Sequence, residues 1–227
     1  MMPYAELHCT SNFSFLRGAS HPEELVARAQ ALGYAALAIT DECSLAGVVR
    51  AHLQAREAGL ALLIGSELGL HGLHPPTHAE VAASGSALPV AAADATPPTR
   101  PEQAPRLVVL ACDRNGYGNL SERITAARRR AGKGHYQLAA DDLADGIPGT
   151  VALFVPSAES LLDPARRQTD LRWLRWLRPR FAGRLWIAVE LLTRGDDLAR
   201  LELLRDWGRR LGLPLVAAGD VHYHRRS

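Results

Sequence analysis

Short hydrophobic runs of strand length alternate with longer helical stretches along most of the chain. Helices of this kind are marked by capping residues, and here Ser20 is the predicted N-cap and Gly33 the stop of the first helix. The predicted strands are Tyr4–Cys9, Ala35–Thr40, a strand within Leu60–Leu70, Arg106–Ala111, Val151–Val155, Arg184–Glu190 and Pro214–Ala217. The predicted helices are Pro22–Leu32, Leu45–Ala58, Tyr117–Arg130, Leu138–Ala144, Ala158–Leu162, Leu171–Arg180 and Asp196–Leu211.

This alternation gives about seven βα units in sequence. Repeated βα units predict a parallel sheet with helices outside it. We therefore expect an α/β fold, a seven-stranded (β/α) barrel of the TIM-like kind, with an open doubly wound sheet as the alternative.

One segment breaks the alternation. Residues 71–105 are rich in Ala, Pro, Ser and Thr, a composition that does not build a core. We expect a surface insertion, disordered or loosely held, within a single domain that spans residues 1–227. The sequence stops soon after the polar cluster that ends at His224, and this suggests a piece of a longer protein.

Composition narrows the function only slightly. The formal net charge of +2 is too small to indicate nucleic-acid binding by itself. Basic residues nevertheless cluster in residues 128–133 and 172–180, where the alternatives are a solvated helix face and contact with a nucleic-acid backbone. Three widely spaced cysteines, no secretory signal and no apolar run of membrane-spanning length predict a cytoplasmic location and no membrane contact.

Polar side chains follow most of the predicted strands. In parallel barrels the functional groups lie at the carboxyl ends of the strands, so these side chains are expected to meet at one rim. Histidine with Asp and Glu is a donor set that suits zinc or manganese, and paired ions can activate water against a phosphoester. The alternative is a polar loop that holds no ion. The residues concerned are His8, Thr10, Asp41, Glu42, Glu67, Glu190, Asp220 and His222.

Several segments resemble a known family. ELHCTSNFSFLRGASHPEELV, ITDECSLAGVV, IGSEL, WIAVELLTRGDD and LGLPLVAAGDVHYH are similar in order and spacing to bacterial DNA polymerase III alpha-type chains. These segments are most similar in sequence to the error-prone, damage-inducible branch of that polymerase family. The resemblance implies a PHP domain, a distorted seven-stranded barrel in which up to three metal ions hydrolyse phosphoesters, with polymerase domains expected C-terminal to it.

The resemblance also implies which ligands are kept. His8, Glu67, Asp220 and His222 match metal-ligand positions of the family. Asp41 and Glu190 are candidates for supporting roles. Four positions depart from the family pattern, since a second histidine, a loop aspartate, a third histidine and a histidine leading the next strand are replaced by Thr10, Arg17, Glu42 and Arg106.

Arg17 and Arg106 would bring permanent positive charge to the place where divalent cations bind, and could pair with the remaining carboxylates. We therefore expect a degenerate site with no catalytic residue, holding at most a single zinc or manganese ion. The expected role is structural, in an error-prone translesion polymerase whose magnesium-dependent part lies outside this sequence. Expected partners are the other polymerase domains, DNA through the whole protein, mutasome proteins and the sliding clamp.

Two alternatives follow from the same residues. The first is a metal-dependent phosphoesterase or a 3′–5′ proofreading exonuclease that works with a reduced ligand set, in which Glu42 replaces a histidine. The second, less favoured, is a stand-alone phosphatase. Thr10, Arg17 and Arg106 favour the structural role over the first alternative. The abrupt C-terminus and the polymerase-like sequence argue against the second.

Overall fold

A computed structural model describes residues 4–70, 73, 104–193 and 195–225. Its strands are β1 (Ala5–Glu6), β2 (Ala36–Ile39), β3 (Ala61–Gly69), β4 (Arg106–Ala111), β5 (Thr150–Val155), β6 (Leu185–Val189) and β7 (Leu215–Ala217). Its helices are α1 (Pro22–Ala31), α2 (Val48–Ala58), α3 (Arg114–Arg129), α4 (Pro164–Arg180) and α5 (Asp197–Leu211), with 3₁₀ turns at Ala140–Leu143 and Ala158–Leu161.

The seven strands form one sheet in chain order, and its two edges meet. A parallel bridge joins Cys9 to Val221 beyond the ends of β1 and β7. There the Val221 amide donates to the carbonyl of His8 at 3.0 Å, and the Thr10 amide donates to the carbonyl of Val221 at 2.8 Å. The result is a nearly closed barrel, which confirms the predicted barrel over the open doubly wound sheet.

The expectation of an all-parallel sheet is wrong at β4. This strand pairs antiparallel with both β3 and β5, whereas the other neighbouring pairs are parallel. Arg106 pairs with Gly69, so β4 begins at the edge of the barrel where β3 ends and runs back. The reversal matters for the site, because it brings the first residue of β4 to the rim formed by the carboxyl ends of the other strands.

Alternate side chains of the strands face two different cores, as the two-residue period of a strand requires. Val108 and Leu110 of β4 belong to a cluster supplied by strands all round the barrel, which is the barrel interior. Leu107 and Val109 belong instead to the larger cluster with the helices. Buried aromatic residues of the helices fill this outer layer, among them Trp173, Phe181 and Trp207.

Local capping explains where the helices begin. The N-cap of α1 is His21, not Ser20, and the His21 amide donates to Glu24 at 2.8 Å. Ser20 instead accepts from the His224 amide at 2.9 Å. The helices α3 and α4 begin earlier than expected because Asp113 and Asp163 each accept a hydrogen bond from a backbone amide of the first turn.

The predicted insertion at 71–105 lies outside the described residues, apart from residue 73 and residues 104–105. Among the described helices, none combines the length and the apolar character that crossing a membrane requires.

Candidate functional site

The polar residues predicted from the strand ends meet inside one rim of the barrel. Side chains of a strand alternate between its two faces, and Glu67, Arg106 and Glu190 each lie two residues from an inward-facing position of β3, β4 or β6. Their side chains therefore point into the barrel as well. His8 follows β1, and Asp220 follows β7. The side chains of His8, Glu67 and Glu190 are at most 5% exposed, so their charges need partners within the protein.

His8 lies between two carboxylates. Its Nε2 is 2.8 Å from Glu67, and its Nδ1 is 2.6 Å from Glu190. Burial alone would lower the pKa of His8, but the hydrogen bonds and charges of Glu190 and Glu67 outweigh it and raise the pKa to about 10. His8 is therefore an imidazolium that donates from both nitrogens, and neither nitrogen keeps a free lone pair for a metal ion.

Glu67 is the centre of the cluster, and two arginines reach it. Arg17 contacts both of its carboxylate oxygens, with 3.2 Å for the Nη2–Oε2 pair, and Arg106 donates to Oε2 at 3.0 Å. Burial alone would raise the pKa of Glu67, but Arg106, His8 and Arg17 outweigh it and hold the pKa well below its usual range. Glu67 is therefore ionised, with its acceptor capacity taken up by three cationic side chains.

Arg106 also contacts the carboxylates on the other side of the rim. It donates to Glu190 at 3.2 Å and to Asp220 at 3.3 Å. Asp220 additionally accepts from His222 at 3.0 Å, and this hydrogen bond raises the pKa of His222. Because His222 Nδ1 lies 3.1 Å from the carbonyl of Arg17, both of its ring nitrogens face acceptors, as those of His8 do.

Glu42 joins the network from the second strand's loop. It accepts from Arg17 at 3.0 Å and from the Tyr136 hydroxyl at 2.9 Å. The same hydroxyl accepts from the Gly69 amide at 3.0 Å, so Tyr136 links Glu42 to the end of β3. The carboxylate of Glu42 is thus held by protein donors.

Two predicted residues lie at the rim without joining these ion pairs. Asp41 accepts from the Ser11 amide and hydroxyl and from the Ser14 hydroxyl, each at 2.8 Å, and so fixes the loop that carries Arg17. Thr10 is buried at the seam between β1 and β7, where its hydroxyl contacts the carbonyl of Val221 at 3.4 Å.

Charge is balanced within the network. Four carboxylates are faced by two guanidinium groups and two imidazoles, so the cluster is neutral when both histidines are protonated. Above it a cavity of ≈ 750 Å³ opens to solvent. Its lining includes Arg17, Arg106 and Arg200 together with Glu190, Asp196, Asp197 and Asp220, so this opening too carries both signs of charge.

Sequence comparison assigns this barrel to a family. The sequence model of one protein family, the PHP domain, matches residues 6–156. The chain belongs to the PHP domain family. The residues singled out from the sequence therefore lie in or beside the rim of a PHP domain: His8, Thr10, Arg17, Glu42, Glu67, Arg106, Asp220 and His222.

The PHP domain is similar to part of much longer proteins. It is 49% identical over 227 residues to the error-prone DNA polymerase of Dechloromonas aromatica, covering 97% of this chain and 18% of that protein. It is 46% identical over 227 residues to the error-prone DNA polymerase of Pseudomonas aeruginosa, covering 100% of this chain and 18% of that protein. The chain thus spans less than a fifth of the length of these curated relatives.

Solved structures share the fold at low sequence identity. A candidate metal-dependent phosphoesterase from Bifidobacterium adolescentis superposes with a TM-score of 0.61 and 17% identity, covering 98% of this chain and 88% of that one. An amidohydrolase from Chromobacterium violaceum, solved with bound sulfate and no metal, gives a TM-score of 0.60 and 19% identity, covering 96% and 87%. In both comparisons the similarity is one of fold, and it covers nearly the whole chain.

The residues at the rim do not fit a multinuclear metal centre. Ligand atoms of His8, Glu190 and Asp220 lie within 4.8 Å of one another, a spacing that a single ion could bridge. However, Arg106 contacts two of these three residues, and His8 offers no free lone pair. An ion bound to these oxygens would lie beside a guanidinium group, whose charge cannot be removed by deprotonation.

Sequence reasoning missed two residues that support the rim. Glu6 is buried and accepts from the amides of His8 and Gly219, each at 2.9 Å, which fixes the loop before Asp220. The alternation of Glu6 and His8 along the predicted strand Tyr4–Cys9 was a usable signal for it. Tyr136 lies in a loop rich in glycine and polar residues and carried no comparable signal.

Proposed function

We propose that this chain is the PHP domain of an error-prone DNA polymerase in which an internal ion-pair network takes the place of the metal centre. Its role is structural, and the domain supports the polymerase body and its assembly with partners. The observation that carries the proposal is the position of Glu67, which is buried and contacted by both Arg17 and Arg106.

The physical argument rests on competition for the same oxygens. A divalent ion needs carboxylate lone pairs that face it, but those of Glu67 are directed at guanidinium and imidazolium groups. To bind an ion, the network would have to expel cationic side chains from a buried place and leave them without acceptors. Removing a partner from a buried ion pair costs about 3–5 kcal/mol, which opposes metal binding.

The proposal for the whole protein follows from its relatives. Identity of 44–49% to error-prone DNA polymerases supports a domain organisation in which polymerase domains follow residue 227. Nucleotidyl transfer with magnesium, contact with DNA through the whole protein, and contacts with mutasome proteins and the sliding clamp would then belong to the longer protein. The segment at 71–105 is proposed as a surface insertion of this single domain.

The test is the metal content of chelator-treated, purified protein after incubation with manganese or zinc, measured by elemental mass spectrometry. We expect less than about a tenth of an equivalent, because the ligand oxygens are occupied by cationic side chains. Two or three equivalents, located at the rim by anomalous scattering, would contradict the proposal.

A second candidate is a metal-dependent phosphoesterase or 3′–5′ exonuclease that uses one ion. The spacing of His8, Glu190 and Asp220 favours it, since three ligands and a water can complete the coordination of zinc. Its test is cleavage of a 3′-labelled mismatched primer with manganese, with Asp220→Asn as the matched control. Cleavage that the protein supports and Asp220→Asn abolishes would favour this candidate over the structural role.

A further inference from the structure

A second concave surface lies at the opposite edge of the barrel, where β6 and β7 begin. Two cavities of ≈ 560 and ≈ 430 Å³ open there, and Gly212, Leu213 and Pro214 line both of them. Because they share these residues, we describe them together as the basal furrow, which lies between the end of α4 and the end of α5. The furrow is separate from the rim, because it is lined by residues that lead into strands and not by residues that follow them.

Arginines line the furrow on both sides. Arg175 and Arg178 come from α4, and Arg205 and Arg209 come from α5. Among the described residues that line the two cavities, none is acidic. This is the opposite of the rim cavity, whose arginines are matched by four carboxylates. The lining of the basal furrow therefore carries net positive charge.

The arginine side chains are available for a ligand. All four residues are exposed, and Arg175, Arg178 and Arg205 have no ion pair within the described part of the chain. Arg209 lies 3.6 Å from Asp206, which also pairs with Arg210 at 2.8 Å. Because Arg175 and Arg178 are three residues apart on one helix, they lie on the same face. Their guanidinium groups can therefore contact successive phosphates.

The floor of the furrow excludes two other kinds of ligand. Leu185, Leu211 and Leu213 are at most 8% exposed, so the floor offers little apolar surface to anchor an amphipathic helix. Phe181, the aromatic residue of the lining, is fully buried. A single-stranded nucleic acid usually gains affinity by stacking its bases on exposed aromatic side chains, and the described lining provides none.

We propose that the basal furrow binds the phosphodiester backbone of duplex DNA without reading its sequence. One strand of the duplex lies between the two pairs of arginines, and its phosphates accept hydrogen bonds from Arg175 and Arg178 on one side and from Arg205 and Arg209 on the other. The proposal is independent of whether the rim holds a metal ion, because the two surfaces share no residue.

The test is fluorescence anisotropy of a labelled 20-base-pair duplex of mixed sequence, titrated with this chain between 50 and 200 mM salt. Each phosphate neutralised contributes about −0.9 to the slope of log affinity against log salt, so four arginines predict a slope of about −3.6. The double variant Arg175→Gln with Arg178→Gln should bind at least about tenfold more weakly at 50 mM salt, with a slope smaller by about 2. Arg205→Gln with Arg209→Gln should behave alike.

The matched control removes the same charge elsewhere. Arg28 and Arg56 are exposed on α1 and α2 and, within the described chain, form no ion pair, so Arg28→Gln with Arg56→Gln also lowers the net charge by two. This control should bind duplex within about twofold of the parent. Far-ultraviolet circular dichroism and melting temperature should match for all variants, since exposed substitutions change stability by no more than about 0.5 kcal/mol.

Three results would overturn the proposal. Equal weakening by the control and the furrow variants would show that only total charge matters. Tighter binding of the single strand of the same sequence would exclude the duplex as the preferred ligand. Displacement of the duplex by polyglutamate at an equal concentration of negative charge would identify the surface as a site for acidic protein segments.

Discussion

Replacing Arg106 by methionine tests how the rim is held together. The guanidinium group lies 3.0 Å from Glu67, 3.2 Å from Glu190 and 3.3 Å from Asp220, and its side chain is 13% exposed. Methionine keeps much of the aliphatic volume but leaves three carboxylates with one cation fewer. Removing one partner of a buried ion pair costs about 3–5 kcal/mol, so the free energy of unfolding should fall by that amount. The melting temperature should fall by roughly 10 °C.

The assay is urea unfolding at pH 7, followed by circular dichroism. Arg123→Met is the matched control, because its ion pair with Asp145 at 2.7 Å is on the surface, with the side chains 24% and 44% exposed. An exposed pair contributes no more than about 1 kcal/mol, so the control should unfold almost as the parent does. A loss of less than about 1 kcal/mol for Arg106→Met would refute the view that this arginine balances the rim.

Adding divalent ions to the Arg106→Met variant tests whether Arg106 takes the place of a metal ion. If Arg106 takes the place of a metal ion, manganese or zinc should bind more readily once the guanidinium group is gone. The variant should gain stability on adding the ion, by about 2.7 kcal/mol at a concentration one hundred times the dissociation constant, whereas the parent should gain little. Equal gains for the variant and the parent would mean that the ion binds elsewhere or that Arg106 does not compete with it.

Two further predictions concern packing and pH. A Cβ on Gly116 would lie 1.8 Å from the carbonyl oxygen of Gly149, so Gly116→Ala should destabilise the domain by about 1–3 kcal/mol or more. A Cβ on Gly118 would meet nothing within 4 Å, so Gly118→Ala should stabilise the domain by up to about 1 kcal/mol. Thermal melts of the two variants measure both effects. Burial raises the pKa of Asp170 from 3.8 to about 6, so this carboxyl contributes stability at low pH that is lost as the pH rises through 6. The stability of the parent relative to Asp170→Asn should therefore fall by about 2 kcal/mol between pH 4 and pH 7, and parallel pH curves from urea unfolding would contradict this.

The pattern of strands and helices was enough to predict the barrel, because compact apolar runs of strand length alternate with longer helical stretches. It could not predict the direction of β4. A strand has the same two-residue period whichever way it runs, and the preceding segment at 71–105 gives no helical signal to show whether the chain crosses the barrel. Helix starts were missed where Asp113 and Asp163 extend the helix by capping it.

Candidate site residues could be found because polar side chains at strand ends stand out in an apolar sequence. Which of them pair could not be read from the sequence, since Arg17 and Glu67 are joined only by the fold, across 50 residues of chain. Loop geometry likewise decides that Asp41 accepts hydrogen bonds from Ser11 and that Thr10 lies at the seam of the barrel. Neither contact could be predicted from the sequence. The interpretation of Thr10, Arg17, Glu42 and Arg106 as altered ligand positions remains a prediction for the metal measurements.

The distribution of charge over the barrel links the two proposals. At the rim Arg17 and Arg106 are engaged by carboxylates, and four carboxylates line the cavity above them, so little positive potential is left there for a phosphate group. At the basal furrow four arginines face solvent with no acidic residue in the described lining. Long-range attraction of a polyanion depends on unbalanced charge, so DNA should approach the base of this domain and not its rim. Loss of rim chemistry and contact with DNA are therefore compatible in one barrel, and each can be altered without the other.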